Sequence, residues 1–346
     1  MTVRKPLLVL LSLMLALTMM FAAGCSGAAE EPAESPAESP AEEPEAEEPA
    51  IDEGAAITEL TYEYLNSELA KVWIMNAVDL NEQLFVTKDA AMQVLDIRDS
   101  ADFAKGHIEG AINVPYATFA DEATLEQLDS TKTFVVVDYD GSKAPAVYLY
   151  LTQLGYDTMM LRWGMSGWTT DAAVYTVWDG VGADFPTTTE PSTAAGSFEP
   201  LAPSTGAADE REAVINGAKA YFASGGAEVI SAADLKAMID SGADNFQIVS
   251  IRAPEHYALG HIEGAINIPF ATVPSAESLS KLDPSKTIVV ACYQGHTAAQ
   301  AQFYLKQLGY DVVSLHHGMS SWTNDAAIRA NATYNPANVP NLPTVK

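Results

Sequence analysis

Two cysteines stand in the 346-residue chain, Cys25 and Cys292, and their surroundings point to different chemistry. Cys292 closes the run Ile288-Val289-Val290-Ala291 and opens Tyr293-Gln294-Gly295-His296-Thr297-Ala298. An apolar, β-branched run, a thiol, a short loop turning at a glycine and then a helical pattern place the sulfur between a buried strand and a helix N-terminus. Unpaired backbone N–H groups and the positive end of the helix dipole converge at such a point. Places of this kind favour thiolate over thiol, lowering a cysteine pKa from about 8.5 to between roughly 3.5 and 7.5. The chemistry on offer is nucleophilic and covalent. A free cysteine that only packs is the competing reading, and the glycine turn with its helix start weighs against it.

Stepping outward, the helix that must hold this loop is expected over 298–308, with Thr297 as its cap. Ala301, Tyr304, Leu305 and Leu308 lie on one of its faces. Cys25 belongs to a different element. Residues 1–24 carry Arg4 and Lys5, an apolar run over 7–21 and then small residues, the pattern of an export signal. Ala22-Ala23-Gly24-Cys25 resembles the bacterial lipobox, which implies a lipidated Cys25 at the mature N-terminus and attachment to the extracytoplasmic face of the cell membrane through that lipid. The apolar run is short for a membrane span. With Cys25 lipidated, Cys292 has no partner for a disulfide within the chain.

Residues 25–57 are dense in Ala, Pro, Glu and Ser and lack apolar periodicity, so an extended acidic tether is expected there. The tether supplies a good share of the net charge of −28, which comes from 46 acidic and 18 basic residues. That balance excludes nucleic acid as a partner, because binding phosphate requires basic patches. It carries no information about the site.

An internal repeat organises the rest. Gly106-His107-Ile108-Glu109-Gly110-Ala111-Ile112-Asn113 recurs as Gly260-His261-Ile262-Glu263-Gly264-Ala265-Ile266-Asn267, an offset of 154. The same offset links Leu154-Gly155-Tyr156 to Leu308-Gly309-Tyr310, and Gly164-Met165-Ser166 with Trp168 to Gly318-Met319-Ser320 with Trp322. The chain reads as two copies, 58–178 and 212–332, joined by a Pro/Thr/Ser-rich linker at 179–211 and followed by a tail at 333–346. In the second copy, strands are expected near 247–251, 266–268, 287–291 and 312–315, and helices near 232–239 and 298–308. That alternation predicts an α/β fold with a mainly parallel sheet and helices on both faces in each copy.

A strand ending in Asp96-Ile97-Arg98, the Gly-His-Ile-x-Gly-Ala block, the strand–Cys–loop–helix and a Gly-x-x-x-Trp segment together resemble the rhodanese (thiosulfate sulfurtransferase) family over both copies. Cys292-x-x-Gly-x-Thr is similar to the loop of two-domain members, which keep the catalytic cysteine in the second domain alone. The resemblance implies two rhodanese-like domains and a sulfurtransferase that needs no cofactor. Cys292 would take the outer sulfur of a small anionic donor such as thiosulfate as a persulfide, and pass it to a thiol or cyanide. Tyr293, Gln294, Gly295, His296, Thr297 and Ala298 would surround the anion, mainly through backbone N–H groups, with Thr297 and His296 adding side-chain donors. The first copy has Asp138 at the cysteine position and should be silent, packing against the second copy as one wall of its cleft. Asp138 and Asp140 are read as solvated turn acids, with no metal expected.

Several positions depart from the family pattern. Tyr293 and Gln294 follow the cysteine, where thiosulfate-using relatives often have basic residues and 3-mercaptopyruvate-using ones small residues, so the donor stays open. Arg252 keeps the Asp-x-Arg arginine but has Ser250 for the acid and His256 where the first copy has Asp102; a structural role is expected for it. His107 and His261 recur in both copies and read as structural, His316 and His317 as solvated loop histidines, and Trp168 and Trp322 as core or interface anchors. A Cys-x5-Arg phosphatase or arsenate reductase is excluded by Ala298 and Ala299. A non-catalytic surface module that binds a partner or senses redox state, or a sulfide or polysulfide binder, remains the alternative.

Overall fold

The computed structural model describes residues 51–175, 178–329 and 333–346. The residues read as an export signal, Cys25, and the part of the expected tether up to residue 50 lie outside the described residues. Each copy builds a five-stranded sheet in which every pairing is parallel. In the first, β1 (Ile74–Met75), β2 (Met92–Asp96), β3 (Ile112–Asn113), β4 (Thr133–Val137) and β5 (Thr158–Leu161) take the order β1-β5-β4-β2-β3. In the second, β6 (Val229–Ile230), β7 (Phe246–Ser250), β8 (Ile266–Asn267), β9 (Thr287–Ala291) and β10 (Val312–Leu315) repeat it as β6-β10-β9-β7-β8. The central β4 and β9 are covered on both faces, which is why they read as continuous apolar runs.

Four of the helices in each copy frame its sheet at corresponding places. In the first they are α1 (Glu53–Leu65), α2 (Ala77–Asn81), α3 (Ala144–Gln153) and α4 (Gly164–Trp168). In the second they are α5 (Glu210–Ala223), α6 (Ala232–Asp240), α7 (His296–Gln307) and α8 (Met319–Trp322). Strand alternation decides which helices each side chain meets. Val94, Val135, Val137 and Leu161 point to the outer face with α2 and α4; Leu95, Phe134, Val136 and Met160 point inward. The second sheet divides the same way, with Ile248, Val289, Ala291 and Leu315 outward and Val249, Ile288, Val290 and Val312 inward. The inward sets merge with α1, α3, α5 and α7 into one core shared by both copies. Gln153 and Gln307, equivalent under the repeat, exchange amide hydrogen bonds at 3.0 and 3.2 Å and mark the centre of that interface.

Two of the boundaries that differ from those read in the sequence bear on how the copies and the site are held. Helix α1 starts at Glu53, inside the stretch assigned to the tether, because Asp52 caps it at Ala55 N–H and the buried Glu53 carboxylate accepts from the N–H groups of Thr205, Gly206 and Ala207. Helix α7 starts at His296, two residues before the expected start. Gly295, with φ +97°, stands at its N-cap and Thr297 lies in its first turn.

The linker and the tail are packed straps exchanged between the copies. The segment after the first copy braces the second: Phe185 N–H donates to Trp322 O, the Trp322 indole N–H to Pro186 O, and Thr188 pairs with His261. The segment after the second copy braces the first through the equivalent contacts. Leu342 N–H donates to Trp168 O, the Trp168 indole N–H to Pro343 O, and Val345 pairs with His107. Phe185-Pro186-Thr187 and Leu342-Pro343-Thr344 are the same device used twice. Among the described residues, no helix is long and apolar enough to cross a membrane.

Candidate active site

Ser250 pairs with Ala291 at the C-terminal end of the second sheet, so the chain leaves β9 into the crevice where parallel sheets bind ligands. Cys292 is the first residue past that edge. Its Sγ accepts a hydrogen bond from Gly295 N–H at 3.0 Å, and the residue is 2% exposed. The loop is held from behind by α8: Met319 N–H donates to Cys292 O, while Ser320 gives both its N–H and its hydroxyl to Tyr293 O. A side chain at Gly318, with φ +54°, would collide with Cys292 O. Gly164, Met165 and Ser166 hold Asp138 and Tyr139 identically, which explains why Gly-Met-Ser recurs.

Cys292, Tyr293, Gln294, His296 and Thr297 line a cleft of about 150 Å³ whose other wall is Trp73, Ile74 and Arg162 of the first copy. Sequence reasoning foresaw a first-copy wall but missed these three residues. Arg162 carries the most chemistry. It lies in no ion pair among the described residues, its Nε is buried without a partner, and burial lowers its pKa. A half-buried cation with an unpaired donor can receive an anion in the cleft. The only advance signal was its position, 162, which the repeat offset maps onto His316 beside Gly318.

The other loop residues divide by direction. The Tyr293 hydroxyl turns away from the sulfur to His256 Nδ1 and the Ala253 N–H, so Tyr293 offers the site its backbone. The first copy does the same with Tyr139 and Asp102, at 2.7 Å. His296 packs its ring against Trp163, with centroids 4.6 Å apart, and against Gly141 of the first copy, where any side chain would overlap the ring. Its Nε2 is buried without a partner among the described residues, and burial, then the charges of Arg162 and His317, lower its pKa to about 3. His296 is therefore neutral, and it stands at the interface between the copies as well as in the lining of the Cys292 cleft. Gln294 is buried, and Ala298 is sealed inside α7.

Arg252 is fully buried, donates to Gly260 O and Ile328 O, and holds its guanidinium 5.8 Å from the Tyr293 ring centre. Its counterpart Arg98 is paired with Asp96 at 2.7 Å, a partner that Ser250 cannot supply. His107 and His261 stack on Phe103 and Tyr257 and bond to backbone carbonyls, while Trp168 and Trp322 anchor the straps.

In the first copy, Asp138 fills the position of the cysteine. Its Oδ1 accepts from Gly141 N–H at 2.7 Å, and Oδ2 from Lys143 and Ala144 N–H at 2.7 and 2.8 Å. Burial and the neighbouring Asp140 raise its pKa against those three amides. Asp140 does not stand free in solvent on its turn, as the sequence suggested. Its carboxylate is 11% exposed and meets His316 Nε2 of the second copy at 3.0 Å. Burial works to raise Asp140, and the bond from His316 and its charge hold it below the ordinary carboxylate range. His317, at 8% exposure, is buried instead of solvated.

A family model, the rhodanese-like domain, matches residues 79–171 and 231–325, one match in each copy. The chain belongs to the rhodanese-like family. It is 39% identical over 77 residues to the thiosulfate sulfurtransferase GlpE of Pseudomonas paraeruginosa, covering 22% of this chain and 68% of that protein. It is 28% identical over 103 residues to the thiosulfate:glutathione sulfurtransferase of Saccharomyces cerevisiae, covering 26% of this chain and 74% of that one. The crystal structure of a thiosulfate sulfurtransferase from Pseudomonas aeruginosa aligns at 18% identity and a TM-score of 0.30, over 84% of this chain and 49% of the other.

Proposed function

We propose that the chain is a sulfurtransferase with one active site, at Cys292 in the second copy, moving sulfane sulfur from a small anionic donor of the thiosulfate kind to a thiol or cyanide. The observation that carries this reading is the presence in one cleft of the Cys292 thiol and the half-buried Arg162, which lies in no ion pair among the described residues and whose Nε has no partner there. A sulfur nucleophile facing a cation in a partly dry site is suited to an anion whose reacting atom is sulfur.

In the first step the Cys292 thiolate attacks the outer sulfur of thiosulfate. A new S–S bond forms to Cys292, the old one breaks, and sulfite leaves with the electron pair. In the second step an acceptor thiolate or cyanide attacks the outer persulfide sulfur, and the Cys292 thiolate is restored. Sulfur is neither gained nor lost over the cycle, and no external oxidant is needed. Gly295 N–H, already on Sγ, and the amides at the start of α7 are placed to stabilise the anionic species. The names of the curated sulfurtransferase relatives support the same reaction class. The export signal and Cys25 support a lipid-anchored placement on the extracytoplasmic face of the cell membrane.

Thiocyanate release from thiosulfate and cyanide tests this reading. Turnover by the wild type and none by Cys292→Ser is the expected result. No turnover with thiosulfate or with 3-mercaptopyruvate would sink the catalytic reading for those donors and leave a binding or sensing module.

A further inference from the structure

We propose that Asp140, His316 and His317 form a divalent transition-metal site, of the kind taken by Zn²⁺, built across the two copies behind the cysteine loop. One potential ligand atom from each residue lies within 4.8 Å of the others. All three line a cavity of about 10 Å³, close to the volume of one water molecule, together with Ser142, Gln294 and Gly295. Two imidazoles and a carboxylate match the three-ligand sets of zinc sites that keep a fourth position for water.

The surroundings fix these groups as an outer shell fixes metal ligands. Asp140 Oδ1 accepts from Ser142 N–H at 3.1 Å, which turns Oδ2 toward the histidines, and the Tyr175 hydroxyl approaches that oxygen at 3.4 Å. His317 is stacked on Trp178, with centroids 4.2 Å apart, and on His316 at 3.9 Å. It is 8% exposed, yet neither ring nitrogen hydrogen-bonds to a described residue. A neutral imidazole nitrogen without a protein partner keeps its lone pair available, and a cation could bind between it and Asp140.

The repeat sharpens the contrast. The equivalents of Asp140, His316 and His317 under the offset of 154 are Gln294, Arg162 and Trp163. The loop after β5 thus sends a guanidinium to the cleft that holds a thiol. The loop after β10 sends two imidazoles to the turn that holds a carboxylate. The two crossings share one geometry and have opposite charge preference, an anion at the first and a cation at the second.

The test is titration of the chelator-stripped full chain with Zn²⁺ alone by calorimetry, repeated with Co²⁺ for its visible spectrum. One equivalent should bind, with a cobalt spectrum lacking the sulfur-to-metal charge-transfer band of thiolate ligation. Asp140→Asn and His317→Gln should each weaken binding more than about a hundredfold, as loss of a direct ligand should exceed the roughly 10–100-fold typical of outer-shell changes. Cys292→Ser should leave binding unchanged. Circular dichroism checks each fold; if Asp140→Asn does not fold, His317→Gln and the wild-type cobalt spectrum decide. Absence of stoichiometric binding, or binding lost in Cys292→Ser and kept in His317→Gln, would overturn the proposal and leave an inter-copy hydrogen-bonded clasp.

Discussion

The Asp138 carboxylate occupies in the first copy the amide cradle that, in the second, opens around Cys292 Sγ. Gly141 N–H donates to Asp138 Oδ1 at 2.7 Å, and its equivalent Gly295 N–H donates to Cys292 Sγ at 3.0 Å. Asp138 Oδ2 takes two more amides, from Lys143 and Ala144, whose equivalents Thr297 and Ala298 open helix α7. The first copy thus carries a built-in anion where the second receives one from solution. A silent domain of this kind keeps its loop folded because its own side chain satisfies the donors.

Asp138→Ala should therefore destabilise the protein by about 3 kcal/mol, since three amides lose their acceptor and only partial relief comes from removing a buried charge. Asp138→Asn, retaining one acceptor oxygen, should fall between. Urea unfolding of the full chain checks both, and equal stability of Asp138→Ala and wild type would show that the cradle does not need its carboxylate.

Arg162→Gln should raise the KM for thiosulfate about tenfold or more, because the guanidinium faces the donor's charge from the opposite wall. It should also slow alkylation of Cys292 by anionic iodoacetate while leaving neutral iodoacetamide nearly unaffected. Equal slowing of both reagents would mean that Arg162 acts on the loop's structure and not on the charge of what enters.

Deleting residues 340–346 should cost the first copy about 2–4 kcal/mol, from lost apolar burial and the freed Trp168 indole N–H. Hydrogen exchange should rise around Trp168 and on the outer face of the first sheet, while the second, braced by 183–188, keeps its protection. Uniform loss across both copies would contradict an exchanged pair of straps.

Acid should weaken the anchoring of α1. Burial works against ionisation of Glu53, but the Thr205 amide and hydroxyl, with the amides of Ala207 and Gly206, outweigh it and lower its pKa. A carboxyl depressed on folding adds stability above its unfolded value of about 4.3 and loses it as pH falls through the folded value. Glu53→Gln should be about 1–2 kcal/mol less stable than wild type near pH 7, the gap closing below about pH 4. Thermal melts across that range show it, and a gap independent of pH would assign the loss to packing.

The repeat made the fold legible, because two sheets of identical order follow from one pattern seen twice. It also located the Cys292 loop. The straps were hidden because their correspondence runs at an offset of 157, as from Pro186 to Pro343, and because their Pro and Thr content is that of a solvated linker. Arg162 and Trp73 reach Cys292 only through the packing of α1, α3, α5 and α7, which no local pattern encodes. His296 lines the cleft as its adjacency to Cys292 suggests, but the gap that its ring fills, left by the first-copy residue Gly141, is not encoded locally. Asp140 and His316 are 176 residues apart in the chain, so the meeting of Asp140 with the two histidines was invisible before the copies were docked.

Whether Cys292 carries the transferred sulfur can be read from the intact mass of the protein after incubation with thiosulfate. The wild type should gain one sulfur atom and Cys292→Ser none, and the gain should be lost on adding cyanide as thiocyanate appears. An unchanged wild-type mass under conditions that turn over thiosulfate, or the same gain on Cys292→Ser, would contradict that role of Cys292.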